Sequence, residues 1–127
     1  MRVFKSAWLA KFARKQRIDD AALCEAVARA QAGLIDADLG GGVLKQGVAR
    51  SGAGKSGGYR AVVFFRAGTR AVFAFGFAKN ERANLEVDEE AAFRKAAKLV
   101  LAFPEREMDV EVASGRLTEM NCDGQGL

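Results

Sequence analysis

The chain has 127 residues, half of them apolar, with a formal net charge of +4 and no histidine. This length and apolar content fit one domain with an ordinary hydrophobic core. The absence of histidine excludes Ser-His and Cys-His nucleophile systems and metal sites that need an imidazole ligand. No apolar run approaches the roughly 20 residues of a membrane span, and Lys5, Lys11 and Arg14 interrupt any signal-peptide core. We therefore expect a soluble cytoplasmic protein without a metal ion or other cofactor.

The charges fall into blocks along the chain. Residues 1–17 and 45–82 carry net charges of +6 and +7, whereas residues 18–44 and 83–127 carry −4 and −5. Such blocks favour a polyanionic partner for one face of the molecule.

The two cysteines, Cys24 and Cys122, lie far apart and form no C-x-x-C motif. This spacing is typical neither of a disulfide framework nor of a zinc site. We expect both to be reduced, structural thiols in a reducing cytosol.

The N-terminal third predicts a strand and two helices. A short strand covers residues 2–5, and Ser6 follows where an N-cap would start a helix. Asp19 or Asp20 can cap a second helix, for which Gly33 is a stop. The apolar stripe of the first helix is Trp8, Leu9, Phe12 and Ala13, and that of the second is Ala22, Leu23, Ala26, Val27 and Ala30. We expect a helical hairpin with Trp8 as its anchor.

Three strands are predicted in the middle of the chain. After the glycines at positions 40–42, which we expect to be flexible, the strands cover residues 43–49, 59–66 and 70–77. Residues 67–69, Ala-Gly-Thr, predict a hairpin turn, so the last two strands should be antiparallel neighbours.

The C-terminal part predicts two more helices and an edge strand. Asp88, Glu89 and Glu90 favour a helix start because acidic side chains suit the helix dipole, and Pro104 marks the end of that helix. A short fourth helix is predicted over residues 105–114. Residues 116–120 then predict the edge strand.

Together these elements predict a small single α+β domain over residues 1–120. Its antiparallel sheet should carry an N-terminal helical hairpin and a C-terminal helix. Residues 121–127 are expected to be a frayed tail.

The stretch from residue 45 to residue 82 concentrates basic side chains. Eight of them stand against one acid, Glu81. They are Lys45, Arg50, Lys55, Arg60, Arg66, Arg70, Lys79 and Arg82. Because they alternate with apolar strand residues, we expect a strand surface with basic side chains that faces something anionic.

A relaxed phosphate-loop pattern occurs in this stretch, with Gly54, Lys55 and Ser56 following Ala49. A true phosphate loop opens a helix whose amides hold the phosphates. Here two glycines and a predicted strand follow instead, so we expect no nucleotide cofactor. The segment is interpreted as a basic flap that touches an RNA backbone.

Two motifs at a fixed separation carry a family resemblance. SGGYR enters the strand at Tyr59, and GFAKNER leaves the next strand. With the order of elements, they resemble the RelE/ParE superfamily of toxins from type II toxin-antitoxin systems. The pair GKSGGYRAVVFFRAG and FAFGFAKNERANL is most similar to the HigB-like RelE subgroup.

The resemblance implies a RelE-like fold and a metal-independent ribonuclease that cuts messenger RNA in the decoding site of the ribosome. It also implies inhibition by a cognate antitoxin with a DNA-binding domain. Two alternatives are a non-enzymatic gyrase inhibitor, like the ParE branch of the superfamily, and a nucleic-acid-binding module without cleavage activity.

The resemblance also assigns roles to residues. Arg60 matches the strand arginine that contacts the scissile phosphate, and Lys79 and Arg82 fall at basic positions after the last strand. The paired lysines of the earlier RelE strand are not reproduced. Lys45, Arg50 and Lys55 are their imperfect substitutes, and Glu86 stands where RelE has a tyrosine.

Metal-independent RNA cleavage needs a base for the 2′-hydroxyl, cations at the phosphate and an acid for the leaving oxygen. The planar fork of Arg60 can hold two phosphate oxygens, which a lysine cannot do. Lys79 and Glu81 are both candidates for the base, and the residues leave that choice open. Arg82 could instead form a plain ion pair with Glu81.

The aromatic side chains of Phe73, Phe75 and Phe77 are expected to share one strand face. Such a row could stack RNA bases, but packing against the third helix is the expected role. Phe77, at the strand end, is the one we assign to RNA binding.

Overall fold

The computed structural model describes residues 1–49 and 58–123. Its elements in chain order are β1 (Arg2–Ser6), α1 (Ala7–Gln16), α2 (Asp20–Gln31), β2 (Ala37–Gly40), β3 (Val43–Val48), β4 (Tyr59–Arg66), β5 (Arg70–Ala78), α3 (Val87–Val100), α4 (Glu105–Ala113) and β6 (Leu117–Met120). All six strands form one sheet in the order β2-β3-β4-β5-β1-β6. The predicted α+β fold is confirmed, with each predicted helix and strand in place.

The N-terminal strand lies inside the sheet. β1 pairs in parallel with β5, with Arg2 opposite Arg70, and antiparallel with β6, with Val3 opposite Met120. The other strand pairs are antiparallel. The sheet is therefore mostly antiparallel, with one parallel pair, β1 with β5, and the antiparallel pairing of β1 with β6 joins the two ends of the chain.

Each face of the sheet has its own apolar layer. α1 and α2 cover one face with Leu9, Ala13, Leu23, Cys24, Ala26 and Val27. The opposite face packs against α3 and α4 through Phe93, Ala97, Leu101 and Met108. Among the described residues, we find no helix with the length and apolarity required to cross a bilayer.

The sequence interpretation missed β2. The glycines that we expected to be flexible form a tight turn between β2 and β3, with positive φ at Gly41 (+63°) and Gly42 (+85°). Positive φ at both central residues is the geometry of a two-residue hairpin, which glycine adopts without steric cost. This hairpin places Asp36, just before β2, beside Gly47 of β3.

Phe73, Phe75 and Phe77 do not share a face. The register of β4 and β5 shifts by one residue, because Val62 pairs with Phe75 whereas Val63 pairs with Phe73. The extra residue reverses the alternation of side chains. Phe73 consequently packs in the layer of α1 and α2, and Phe75 and Phe77 pack in the layer of α3.

The prediction of two reduced cysteines is wrong for this structure. Cys24 in α2 and Cys122 after β6 form a disulfide, with their Cα atoms 5.4 Å apart across a sequence separation of 98 residues. Both are buried. The start of the predicted frayed tail is therefore tied to the core, and residues 124–127 lie outside the described residues.

We expect reduction of this disulfide to lower the free energy of unfolding by about 2–4 kcal/mol, because the bond constrains a long loop in the unfolded chain. The measurement is thermal unfolding with and without dithiothreitol. The Cys24→Ser/Cys122→Ser variant is the control. Its melting temperature should equal that of the reduced protein and should not change when dithiothreitol is added. Identical melting of oxidised and reduced wild type would contradict the expectation.

An ion-pair network joins the two ends of the chain. Arg2 contacts Glu105 at 3.1 Å, Asp109 at 2.8 Å and Glu119 at 2.8 Å. Arg70, a residue that is 2% exposed, also pairs with Glu105 through its guanidinium. The hydrogen bond from Arg70 lowers the pKa of Glu105, and the hydrogen bond from Arg2 lowers the pKa of Glu119.

These lowered pKa values make stability depend on acid pH. The network contributes fully above the ordinary glutamate pKa of about 4.3 and loses its contribution as the pH falls through the lower folded values. We expect Arg2→Gln to be less stable than wild type near neutral pH, with the difference shrinking as the pH falls toward about 3. Urea unfolding across that range tests this, and a difference independent of pH would refute it.

Candidate active site

Basic side chains lie on the α3 side of the sheet, near the N-terminal end of that helix. Lys45 pairs with Val62 and Gly47 pairs with Arg60, so their side-chain positions share the face of Val62, which belongs to the α3 layer. The opposite end of α3 lies near the β2–β3 turn, where Leu101 comes close to Gly42. Arg60, which is half-buried, therefore lies away from the part of the face that the end of α3 covers.

Charged groups converge over Gly47. A Cβ atom on this glycine would lie 3.2 Å from Asp36 Oδ2 and 3.8 Å from Lys79 Nζ. The backbone N–H of Gly47 donates a hydrogen bond to Asp36 Oδ2 at 2.5 Å. Because glycine has no side chain, a carboxylate and an ammonium can both lie against the strand next to Arg60.

Asp36 is held as an anion in this cluster. Burial alone would raise its pKa, but the hydrogen bond from Gly47 and the charges of Arg29 and Arg60 outweigh burial and lower it. Arg29 approaches the carboxylate at 3.4 Å and also donates to the Gly47 carbonyl. A carboxylate with a lowered pKa is a poor base, so Asp36 is suited to orienting the neighbouring cations.

Lys79 continues the pairing of β4 with β5. Its backbone N–H donates to the carbonyl of Gly58 at 3.2 Å, one step beyond the end of β5. This pairing places Lys79 beside Gly58, the last residue of the link between β3 and β4. Two predicted RNA-binding residues, Arg50 and Lys55, and the phosphate-loop pattern fall in that link, outside the described residues.

The segment after β5 is fixed to the sheet and to α3. Lys45 Nζ donates to Asn84 Oδ1, and Arg82 donates to the Asn84 carbonyl at 2.9 and 3.0 Å. Arg82 also pairs with Glu89, and their hydrogen bond raises the pKa of Arg82 and lowers that of Glu89. Arg82, which was predicted to contact RNA, thus has an internal partner in this structure. That partner is Glu89 and not Glu81, the alternative ion-pair partner that the sequence suggested.

Phe77 is part of the core in this structure. It is 5% exposed, and the Arg82 guanidinium carbon lies 5.2 Å from its ring centroid. The predicted stacking of RNA bases on Phe77 therefore has no open ring face in this conformation. Strand position alone did not reveal this, because the covering residue comes from the following loop.

Glu81 is not among the charged groups that lie within 4 Å of a Cβ position at Gly47. It is exposed and lines a surface depression beside α1, together with Trp8, Lys11, Phe12, Lys15 and Gln16. Trp8 does not anchor the helical hairpin as predicted, because its ring packs on Phe75 of β5 with the centroids 4.4 Å apart. The structure thus brings Arg60, Lys79 and Lys45 to one side of the sheet and places Glu81 with α1.

The chain matches a known protein family. Residues 1–120 match the family described as the RelE toxin of the RelE / RelB toxin-antitoxin system. The chain belongs to the RelE toxin family. A RelE toxin acts with an antitoxin partner, and toxins of this family are generally endoribonucleases that cleave messenger RNA. A search of curated proteins found no significant match to this RelE toxin.

The sequence interpretation missed Asp36 and Gly47. Asp36 precedes a strand of four residues, too short to stand out against a glycine-rich turn. The available signal was the glycine triplet between Leu39 and Val43, which is typical of a tight hairpin. A hairpin at that point would have placed the acid beside the basic strand.

The charges around Asp36 predict an order of pKa changes. Arg29→Gln should raise the pKa of Asp36 most, because it removes both a hydrogen bond and a charge, and Arg60→Ala should raise it less. Arg66→Ala, at the other end of β4, is the matched control and should leave it unchanged. Carboxyl NMR titration measures all three, and equal shifts for Arg60→Ala and Arg66→Ala would contradict the geometry.

Proposed function

We propose that this RelE toxin is a metal-independent endoribonuclease that cuts messenger RNA on the ribosome and so inhibits translation. The observation that carries the proposal is the convergence of Arg60 and Lys79 around Gly47, with Lys45 on the same face. Cations in this arrangement can hold a phosphodiester and stabilise the charge that builds on it during cleavage. The motifs around Arg60 and Lys79 support assignment to the HigB-like subgroup.

The proposed reaction is attack of the RNA 2′-hydroxyl on the adjacent phosphorus. The 2′-oxygen forms a bond to phosphorus, the bond to the 5′-oxygen breaks, and the products are a 2′,3′-cyclic phosphate and a 5′-hydroxyl. Arg60 holds two nonbridging oxygens with its planar fork. The proton leaves the 2′-hydroxyl for a base, and an acid protonates the leaving 5′-oxygen.

Lys79 is the better placed of the two candidates for proton transfer. It lies in the cluster over Gly47, where a bound phosphate would contact Arg60, whereas Glu81 lines the depression beside α1. A lysine nitrogen can accept and return a proton, but a guanidinium stays protonated at working pH. Asp36 acts as a positioning residue for these cations.

The proposal also includes an antitoxin partner and a cellular compartment. The antitoxin, for which we propose a DNA-binding domain, would inhibit the toxin by covering or distorting the surface around Arg60. Cleavage of messenger RNA would place the protein in the cytoplasm, where glutathione keeps most protein thiols reduced. A reducing compartment would favour reduction of the Cys24–Cys122 disulfide.

The test is induced expression with mapping of messenger-RNA ends. Wild type should arrest growth and produce new ends, and Arg60→Ala should lower cleavage on the order of a hundredfold because a phosphate contact is lost. Arg60→Lys should recover little of the cleavage activity that Arg60→Ala loses, since an ammonium cannot form the bidentate contact. Arg66→Ala is the control on the same strand and should cleave like wild type.

Further comparisons separate the roles. Lys79→Met should abolish proton transfer while Glu81→Gln retains cleavage, and the reverse result would move the base to Glu81. Cleavage in a reconstituted translation reaction, without cleavage of free RNA, is expected for a ribosome-dependent enzyme. Growth arrest with intact messenger RNA would overturn the nuclease proposal and point to gyrase inhibition.

A further inference from the structure

Trp8 is an exposed aromatic residue at the start of α1. It is the sole tryptophan of the chain, and it is 47% exposed, whereas the next two residues of α1, Leu9 and Ala10, are buried. Its ring lines the surface depression that also contains Lys11, Phe12, Lys15 and Glu81. An indole ring open to solvent offers a ligand a large, flat apolar surface.

The ring of Trp8 is held in place from within the fold. It stacks on Phe12, one helical turn along α1, with centroids 5.3 Å apart and planes 15° apart. It also packs on Phe75 at 4.4 Å. A side chain already immobilised by two neighbours loses little conformational entropy when a ligand stacks on it.

A row of aromatic rings leads from Trp8 toward Arg60. Phe75 lies 6.4 Å from Phe77, measured between ring centroids, and Phe77 is the strand partner of Arg60. Phe75 and Phe77 are two residues apart along β5, roughly 7 Å. Trp8 is therefore linked through Phe75 and Phe77 to the strand position of Arg60, and one RNA strand could contact both.

The charges beside Trp8 favour an anionic ligand. Lys11 and Lys15 are exposed, lie one turn apart on α1 and line the same depression. Glu81 is the carboxylate at this depression, so the local balance is one positive charge in excess. An aromatic ring flanked by lysines is the combination with which single-stranded nucleic acid is bound, through base stacking and phosphate contacts.

We propose that Trp8 is a stacking platform for a base of the RNA strand whose scissile phosphate is held at Arg60, with Lys11 and Lys15 contacting the backbone of the same strand. This inference rests on the proposed function, since it assigns a second binding element to the same RNA. Stacking is tolerant of sequence because every base has a π-face. Trp8 therefore contributes affinity and fixes the register of the strand relative to Arg60.

Intrinsic fluorescence tests the proposal directly, because all tryptophan emission comes from Trp8. The probe is a short single-stranded RNA with 2′-O-methyl groups, which cannot be cleaved through the 2′-oxygen. A base stacked on the ring should quench the emission. An abasic oligonucleotide of equal length and charge should bind more weakly and leave the emission unchanged.

Two variants complete the binding test. Trp8→Leu should weaken RNA binding roughly tenfold, the range expected for one lost base stack, whereas Trp8→Phe should retain part of the affinity. Leu99→Ala is the control, since Leu99 is also apolar and 64% exposed but lies on α3. In the translation reaction, Trp8→Leu should shift or blur the positions of cleavage.

The outcomes separate this inference from the proposed function. Unquenched emission, together with wild-type cleavage positions in Trp8→Leu, would overturn the stacking role and leave the nuclease intact. If RNA quenches the emission but the protein never cleaves RNA, the nuclease proposal is wrong and the RNA contact at Trp8 is supported. If Trp8→Leu instead abolished protection by the antitoxin without changing RNA binding, the surface would be a protein-docking site and the inference would be wrong.

Discussion

The antiparallel pairing of β4 with β5, with its single register shift, is the constraint on which the rest of the structure depends. Ala74 is the extra residue, and it lies between the partners of Val62 and Val63. Because side chains alternate along a strand, one extra residue moves every later side chain to the opposite face. Phe73 can thus fill the core under α1 and α2, while Phe75 and Phe77 face α3 on the side that carries Arg60.

The distribution of charge follows from the way in which the acidic C-terminal part folds back onto the basic stretch. Glu105 pairs with Arg70, and Glu89 pairs with Arg82. Both pairs belong to the architecture, since Arg70 is buried and Arg82 covers Phe77. The net charge of residues 45–82 is therefore larger than the charge that an external polyanion can contact. The cations around Gly47 lie on the face of the sheet that we propose binds the substrate.

The candidate site was predictable only where its residues belong to a regular strand or to the motif that follows β5. The alternation of residues 59–66 was sufficient to place Arg60 on a sheet face, and the motif after β5 was sufficient to single out Lys79. Asp36 was not predictable in the same way, because its contact with Gly47 depends on a hairpin whose first strand has four residues. Glu81 is separated from Lys79 by one residue, yet the turn after β5 directs it toward α1.

The sequence by itself determined the order, type and approximate bounds of the elements that it predicted, because capping residues, glycines and apolar periodicity act over a few neighbouring positions. Only the tertiary structure decided the parallel pairing of β1 with β5, the partner of Arg82 and the disulfide between Cys24 and Cys122. Two of these contacts join residues that lie more than sixty positions apart. Local sequence patterns do not predict contacts between residues so far apart in the chain, because the packing of the whole chain brings those residues together.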